Sequence, residues 1–282
     1  VSMAQASLSD SLTVEDLKEN GVLFTPHNRV TLLPSGAEKF EDMFKAIEQA
    51  RHYIYLEYFN FRSDSIGKAL FTLLDKKVRE GVKVRVIYDD FGNVSNDRPL
   101  RKRHLRQLKS RHFEVVVFDP IVFPWVNHAL HRDHRKIVVI DDKVVYTGGM
   151  NVADYYIHGR PEFGKWRDMH MRLEGDCVPL YRRIFCEMWE RCTGDKIDSL
   201  EYQTDSLAFQ TDFRGLKETA CADSSGVLLG VANREPKRSP GLTLYRRNRQ
   251  CAKTDTDCKP LFYFGAQCEE GLISCVEARS EA

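Results

Sequence analysis

Several features that mark common protein classes are missing from this 282-residue sequence. Its eight cysteines include no pair at CxxC spacing, so we expect free thiols in a reducing compartment rather than a structural zinc site. No apolar run approaches the ~20 residues that a membrane-spanning helix needs. The 42 basic and 41 acidic side chains leave a net charge of +1, so the overall charge predicts no particular kind of partner.

The two ends of the sequence carry few structural signals. The first twenty residues include four acids and no apolar segment, and we therefore expect no signal peptide. Beyond residue 197 there is no histidine, methionine or tryptophan and no sustained helical period. We therefore divide the chain into a lead segment (1–27), a domain (28–195) and a poorly patterned tail (196–282). A non-native or disordered tail is our hypothesis.

Between those ends, segments with a helical period alternate with segments rich in strand-forming residues. Apolar residues at helical spacing predict helices over residues 35–51, 66–81, 99–110 and 176–192. Strands are predicted over residues 53–59, 82–88, 113–118 and 136–141. Because strands alternate with helices, we predict an α/β fold with a mostly parallel central sheet, in which crossover helices join neighbouring strands.

One run in this region, HRDHRKIVVIDDKVVYTGGMNVADYY, carries the candidate chemistry. His134 and Lys136 are two positions apart in a predicted strand, so their side chains should share a face. A neutral imidazole can attack phosphorus and form a phosphohistidine. The lysine can hold the phosphate oxygens and stabilise the charge of the five-coordinate transition state. The pair therefore predicts attack on a phosphodiester.

A glycine pair and an amide follow the predicted strand. Gly148 and Gly149 allow the backbone to approach a phosphate closely and offer N–H donors to it. Asn151 adds a side-chain donor at the start of a predicted helix, where anions bind readily. We expect these three residues to bind the substrate phosphate.

Two aspartates are candidates for supporting roles. Asp141 lies seven residues beyond His134, or roughly 23 Å along a strand at about 3.3 Å per residue. We therefore expect Asp141 to fix the turn or the strand end rather than to touch the histidine. A carboxylate that orients His134 should come from another strand, and Asp168 is our candidate for that hydrogen bond.

Two further histidines precede the motif. His128 and His131 are spaced by three residues from each other and from His134, which raises the question of a metal site. On a strand or an irregular loop this spacing does not bring ligands together, so we interpret them as loop residues near the mouth of the site. We expect neither a metal nor another cofactor.

The motif resembles the HKD motif of the phospholipase D superfamily. Over about residues 28–195 the sequence is similar to the cardiolipin synthase branch, through YIYLEYF, GVKVRVIYDDFGN, TGGMNVADYY and WRDMHMRLEG. The resemblance implies a phospholipase D-like α/β sandwich and metal-free catalysis through a covalent phosphohistidine. It also implies the reaction, in which one phosphatidylglycerol donates its phosphatidyl group to a second one and releases glycerol.

The motif occurs once, whereas such enzymes usually carry two copies in one chain. The second copy normally supplies the histidine that protonates the leaving alkoxide and later activates the acceptor hydroxyl. The tail contains no histidine, so we expect a homodimer that brings two copies of His134 together, or a separate second HKD half. His170 is a weaker candidate for this second role. A catalytically incomplete fragment is the remaining alternative.

Two segments suggest a partner surface. Seven basic residues and no acid lie between Arg98 and Arg111, and an apolar loop over residues 121–126 contains Trp125. Together they favour an anionic phospholipid surface over a nucleic acid. The alternatives are a solvated helix face for the basic run and buried core for the apolar loop. We expect a peripheral protein of the bacterial inner membrane, or a cytoplasmic one if soluble. A hydrolytic phosphodiesterase or nuclease is the competing function.

Overall fold

The computed structural model describes residues 16–19, 22–101, 112–121, 132–162 and 164–198, and the backbone of three short strands beyond residue 226. Residues 16–19 form one helical turn. The other helices are α1 (Gly36–Gln49), α2 (Ser65–Arg79), α3 (Asp90–Val94), α4 (Tyr155–His158) and α5 (Val178–Thr193). The strands are β1 (Leu23–Leu33), β2 (Tyr53–Tyr58), β3 (Lys83–Asp89), β4 (Phe113–Phe118), β5 (Lys136–Ile140), β6 (Val144–Gly148), β7 (His170–Gly175), β8 (Val227–Val231), β9 (Tyr263–Phe264) and β10 (Ser274–Val276).

These strands form one mixed sheet. Their order is β4-β3-β2-β5-β6-β7-β1-β8-β10-β9. The β2–β3 and β3–β4 pairs are parallel, and the other seven neighbouring pairs of described strands are antiparallel. The predicted α/β class is confirmed, but the prediction of a mostly parallel sheet was wrong.

A tight turn joins β5 to β6 and accounts for their antiparallel pairing. Between β5 and β6 the backbone passes through Asp141 and Asp142, which have φ angles of +50° and +52°. Two successive residues with positive φ are typical of the short turns that join antiparallel strands. The apolar run of β5 indicated burial on both faces, and helices do cover both faces. That burial therefore does not require parallel neighbours.

The core consists of two hydrophobic layers, one on each face of the sheet. Leu56, Val86 and Val138 are fully buried on the face covered by α1 and α2. On the opposite face, Tyr55 and Val139 are fully buried against α5. Burial of a side chain of this size contributes about 1.5–3 kcal/mol, so the sheet is anchored from both sides.

The helix ends follow local signals in the sequence. Ser35 caps α1, where its Oγ accepts a hydrogen bond from the Glu38 N–H at 3.2 Å. Asp64 caps α2 in the same way through the N–H of Gly67 at 3.1 Å. Helix α5 ends at Gly194, which has a φ of +80°. Among the described residues, none of the helices combines the length and apolar character needed to cross a membrane.

Strand β1 was not predicted. It crosses the proposed boundary between residues 27 and 28 and pairs with β7 on one side and β8 on the other. The strand β8 belongs to the segment that we predicted to be a poorly patterned tail. Apart from β8, β9 and β10, residues 199–282 lie outside the described residues, and the hypothesis for the tail stays a prediction.

The motif residues lie at one end of the central strands, which we call the active-site edge of the sheet. In the strand pairing, Lys136 at the start of β5 lies opposite Tyr58 at the end of β2. Gly148, at the end of β6, lies opposite His170, at the start of β7. Since β5 and β6 form a hairpin, the two pairs of residues lie at the same edge of the sheet.

Candidate active site

His134 lies immediately before β5 and is half-buried at this edge. Its ring centroid is 4.8 Å from that of Phe59, with the two planes inclined by 55°. Burial, and then the nearby charge of Lys136, lower the pKa of His134 from 6.5 to about 4. The imidazole is therefore neutral near pH 7, which is the form that can attack phosphorus. The prediction that His134 lies within the strand was wrong, because β5 begins at Lys136.

Lys136 is buried beside the histidine. Its Nζ donates a hydrogen bond to the backbone carbonyl oxygen of His134 and lies 5.5 Å from the centre of the Phe59 ring. The first bond joins the lysine directly to the segment that carries the imidazole. A charge held in this position can interact with a phosphate that approaches His134.

The two glycines of the motif lie against the start of β7. Gly148 has a φ of +148°, and a Cβ atom there would lie 2.7 Å from His170 Nδ1. A Cβ atom on Gly149 would lie 2.1 Å from Asp168 Oδ1. A side chain at position 148 would meet the backbone and ring of His170 at the start of β7, and one at position 149 would meet the carboxylate of Asp168, which precedes β7. We had expected glycine at these positions so that the backbone could approach the substrate phosphate. Phosphate binding by the two glycines stays a prediction.

Asn151 uses its side chain to connect neighbouring segments. It is buried, its Oδ1 accepts a hydrogen bond from the Asn60 N–H at 3.4 Å, and its Nδ2 donates to the Tyr156 hydroxyl at 3.5 Å. The expected helix start at Asn151 is not present, because α4 begins at Tyr155. The described contacts of Asn151 are therefore those of a residue that holds the turn in place.

Asp141 lies at the opposite end of β5 from His134. Its carboxylate accepts hydrogen bonds from the backbone N–H groups of Arg51, His52 and Tyr53, at 2.7, 2.9 and 2.8 Å. These contacts fasten the hairpin turn to the start of β2. They are the contacts of a residue that fixes a strand end, as its distance from His134 along the sequence had suggested.

Asp168 lies close to the site but makes a different contact from the expected one. Its Oδ1 accepts a hydrogen bond from the N–H of Met169 at 2.7 Å. Burial is the largest influence on the pKa of Asp168 and raises it above the ordinary value. The Met169 N–H and the charges of Lys39 and Lys136 oppose this rise in pKa. No hydrogen bond joins Asp168 to His134 among the described residues. An orienting role for Asp168 stays a prediction.

Sequence reasoning missed Lys39. This residue of α1 is fully buried, and its Nζ donates hydrogen bonds to the carbonyl oxygens of Met150 and Asn151 at 2.9 and 3.1 Å. A signal was present, because position 39 falls on the apolar face of the helix together with Gly36 and Met43. A lysine on a buried helix face is uncommon enough to mark a site.

A second buried group beside the site is His170. It is fully buried, and neither ring nitrogen has a hydrogen-bond partner among the described residues. Burial, followed by the charges of Lys39 and Lys136, holds its pKa well below the ordinary value. His170 is therefore neutral in the folded protein near pH 7.

On the opposite face of the sheet, an ionic network holds the residues on both sides of His134. Arg135 donates to Glu57 Oε1 at 3.1 Å, and the Asp133 N–H donates to Asp89 Oδ2 at 2.9 Å. Burial, and then the charge of Asp133, raise the pKa of Glu57 well above its ordinary value. The charge of Arg135 acts in the opposite direction and lowers the pKa of Glu57.

The described residues contain no group of three or more histidine, cysteine, aspartate or glutamate side chains placed to hold a metal ion. His128 and His131 fall in residues 122–131, outside the described part of the chain, as does most of the apolar loop. Residues 102–111, which contain most of the basic run, also fall outside it. The described cysteine side chains at 177, 186 and 192 form no disulfide with one another.

Comparison with known families gives the class of the domain. Residues 43–164 match the family model described as "Cardiolipin synthase, PLD-like domain". These residues include β2 to β6, and with them His134, Lys136 and the glycine turn. Together with the α/β fold, the match confirms the predicted resemblance of this part of the chain to phospholipase D-like domains.

Within that class, the chain is similar to bacterial cardiolipin synthases. It is 38% identical over 179 residues to the "Probable cardiolipin synthase YwiE" of Bacillus subtilis. The aligned region covers 63% of this chain and 35% of that protein. It is 36% identical over 205 residues to the cardiolipin synthase of Halalkalibacterium halodurans, with 72% of this chain and 40% of that protein covered. The chain therefore spans about two fifths or less of the length of these relatives.

A solved structure gives a more distant likeness. The phosphatidylserine synthase of Haemophilus influenzae matches with a TM-score of 0.47 and 16% identity, over 61% of this chain and 40% of that one. A likeness at this level carries no argument about function.

Proposed function

We propose that this chain carries one catalytic half of a cardiolipin synthase-like phosphatidyltransferase that acts on phosphatidylglycerol. The observation that carries the proposal is a neutral His134 next to the buried ammonium group of Lys136 at the open edge of the sheet. This arrangement offers a nucleophile and a positive charge to the same phosphate. The similarity to cardiolipin synthases supports phosphatidylglycerol as the substrate.

The reaction takes two displacements at phosphorus. In the first, a ring nitrogen of His134 forms a bond to the phosphorus of one phosphatidylglycerol, and the bond to the glycerol oxygen breaks. The released alkoxide takes up a proton and leaves as glycerol. In the second, a hydroxyl group of another phosphatidylglycerol loses its proton and attacks the phosphohistidine, which yields cardiolipin and restores the imidazole.

Both displacements need a second group that gives a proton and later removes one. His170 is poorly suited to this role, because it is fully buried and neutral. We therefore assign the role to a second HKD half, supplied either by another segment of a longer protein or by a second copy of this chain. In the second case, two copies of His134 face each other across a two-fold axis.

Exposed apolar side chains near the site support a lipid surface as the partner. Phe91 and Val94 of α3 are 45% and 60% exposed, and α3 follows β3 at the edge that carries His134. Trp166 is 45% exposed beside Tyr155. Large apolar groups of this kind can enter the interface of a bilayer, which fits a peripheral protein of the bacterial inner membrane.

Product analysis tests the proposal. The full chain is incubated with phosphatidylglycerol vesicles, alone and with the missing portion of a cardiolipin synthase relative, and compared with His134→Asn. We expect cardiolipin and glycerol in equal amounts, and none from the variant. Phosphatidic acid instead of cardiolipin indicates hydrolysis, and cleavage of a plasmid indicates a nuclease. Either result, or no turnover under any condition, contradicts the proposal.

A further inference from the structure

Lys39 has surroundings that are unusual for a lysine. It projects from α1 into the core, where it is fully buried and bonded to two backbone carbonyl groups. Its Nζ also lies 4.6 Å from the centre of the Phe40 ring and 5.0 Å from that of Tyr58. Lysine is almost never fully buried unless specific partners hold its charge. Such a residue needs a reason beyond packing.

We propose that Lys39 is a positioning residue, which holds the glycine-rich turn of the active site against α1 and places a positive charge beside Asp168. The inference rests on the proposed function for its catalytic meaning. The contacts that define the role are structural and can be tested without turnover.

The first part of the role concerns the backbone of the turn. Lys39 fixes the carbonyl groups of Met150 and Asn151, which directly follow the glycine pair. Since the C=O and N–H of one trans peptide point in opposite directions, a fixed Met150 carbonyl also fixes the direction of the Asn151 N–H. Lys39 thus sets the orientation of backbone groups in the segment that we expect to meet the phosphate.

The second part concerns charge. Asp168 packs against Gly149, which precedes the Met150 carbonyl that Lys39 binds. Described groups that act on Asp168 include Lys39 from α1, Lys136 from β5, and Tyr155 and Tyr156 from α4, and Trp166 contributes a hydrogen bond. Burial favours the protonated acid, whereas the two lysines favour the carboxylate. Lys39 also acts on His170 and disfavours its protonated form. The loss of Lys39 should therefore change the titration of both neighbours.

The ammonium form of Lys39 is central to this role. Burial is the main reason that the pKa of Lys39 lies well below the ordinary value. The charge of Asp168 raises this pKa, and the charge of Lys136 lowers it further. Two carbonyl acceptors and two aromatic faces also favour the charged form. We therefore expect Lys39 to be an ammonium ion at neutral pH.

Lys77 provides a matched control. It too is a buried lysine whose Nζ donates to a backbone carbonyl, that of Glu48 at 2.9 Å. It lies near the end of α2, away from the motif, and pairs with Glu80. Lys39→Met and Lys77→Met therefore remove the same kind of group from two different places.

The test is a carbon-13 NMR titration of the Asp168 carboxyl carbon in the full chain, with Asp168→Asn to assign the signal. We expect Lys39→Met to raise the pKa of Asp168 and Lys77→Met to leave it where it is in the parent protein. An unchanged Asp168 titration in folded Lys39→Met, or an equal change in both variants, overturns the proposal. If Lys39→Met does not fold, the Lys39 side chain is titrated in the parent protein, and a neutral amine at pH 7 overturns it.

Turnover gives a second, separable result. With an active preparation, Lys39→Met should lower kcat by about 100-fold with little change in KM, because a displaced turn misplaces the reacting groups rather than weakening lipid binding. Lys77→Met should retain kcat. If no preparation is active, the proposed function fails, while the NMR titration still decides whether Lys39 acts on Asp168.

Discussion

At the active-site edge, the two faces of the sheet hold buried charge in different ways. On the face covered by α1, Lys39 and Lys136 donate hydrogen bonds to backbone carbonyl groups. His170, on the same face, has no hydrogen-bond partner for its ring nitrogens within the described part of the chain. Positive charge is therefore concentrated on the side where a phosphate anion would bind.

On the face covered by α5, acids and arginines pair directly. Glu57 pairs with Arg135 at 3.1 Å, and Asp89 pairs with Arg132 at 3.2 Å. Both arginines flank His134 in the sequence, so the pairs hold the segment that carries the nucleophile. Under our proposal, the face covered by α1 binds the substrate phosphate, and the ion pairs of the other face hold the segment that carries the imidazole.

The largest effect is expected from the nucleophile itself. His134→Asn should reduce phosphatidyl transfer on the order of 10⁵-fold or more, because the covalent intermediate that we propose forms on this imidazole. The free energy of unfolding should change by less than about 1 kcal/mol, since the residue is only half-buried. The exposed His52→Asn is the control and should retain full activity. Residual transfer by His134→Asn at the parent rate would contradict the assignment.

A large loss of stability is expected at the far end of β5. Asp141→Asn should lower the free energy of unfolding by about 2–3 kcal/mol, because the amide cannot accept all three backbone N–H groups that the carboxylate accepts. Urea unfolding measures the loss. Activity per folded molecule should be retained. An inactive Asp141→Asn protein of unchanged stability would show that Asp141 takes part in the chemistry.

Glu57→Gln probes the ion-paired face through pH. The folded-state pKa of Glu57 is raised, so its contribution to stability is fully present below the unfolded pKa of 4.5 and is lost as pH rises through the folded pKa. The variant lacks this loss, and its stability relative to the parent protein should therefore increase from pH 4.5 upward.

Glu80→Gln is the matched control for that experiment. A hydrogen bond from Lys77 lowers the pKa of Glu80, so its contribution is present above the unfolded pKa and is lost as pH falls through the folded pKa. The two glutamine variants should therefore differ in the sign of their pH dependence when urea unfolding is measured from pH 3 to 8, roughly the range over which carboxyl groups titrate. The same sign in both would contradict the account of Glu57.

The smallest effect concerns the pKa of His134. Lys136→Met should raise that pKa from about 4 toward 6.5, without reaching it, because burial is the larger cause of the shift. In the parent protein the neutral imidazole contributes stability above pH 6.5 that is lost as pH falls through about 4. Nitrogen-15 NMR of the imidazole follows the titration, and Lys143→Met, at the other end of β5, is the control. An unchanged His134 pKa in Lys136→Met would contradict the claim that the charge of Lys136 acts on the imidazole.

Much of the local structure could be predicted from the sequence. Ser35 marked the start of α1 because a serine followed three residues later by a glutamate is a capping pattern. The motif residues were identified because the chemistry needs those side chains at short spacings. Both signals are local, and local signals are what a single sequence expresses most clearly.

Features that depend on distant contacts could not be predicted. The antiparallel directions of β5, β6 and β7 appear in their pairing and not in their apolar content, which is the same for buried strands of either direction. Lys39 appeared as one more charged residue of an amphipathic helix, because its partners lie more than a hundred residues further along the chain. The close approach of Asp168 to Gly149 is likewise a contact between segments that are separated in the sequence.

The most direct test of the central claim is detection of a covalent bond between His134 and phosphorus. The protein is mixed with a phosphodiester whose nitrophenolate leaving group departs without a proton, so no second HKD half is needed. It is then quenched in alkaline denaturant and analysed by peptide mass spectrometry. We predict a phosphoryl adduct on His134 that is missing from His134→Asn. Release of nitrophenolate without any adduct, or an adduct on another residue, would contradict the account.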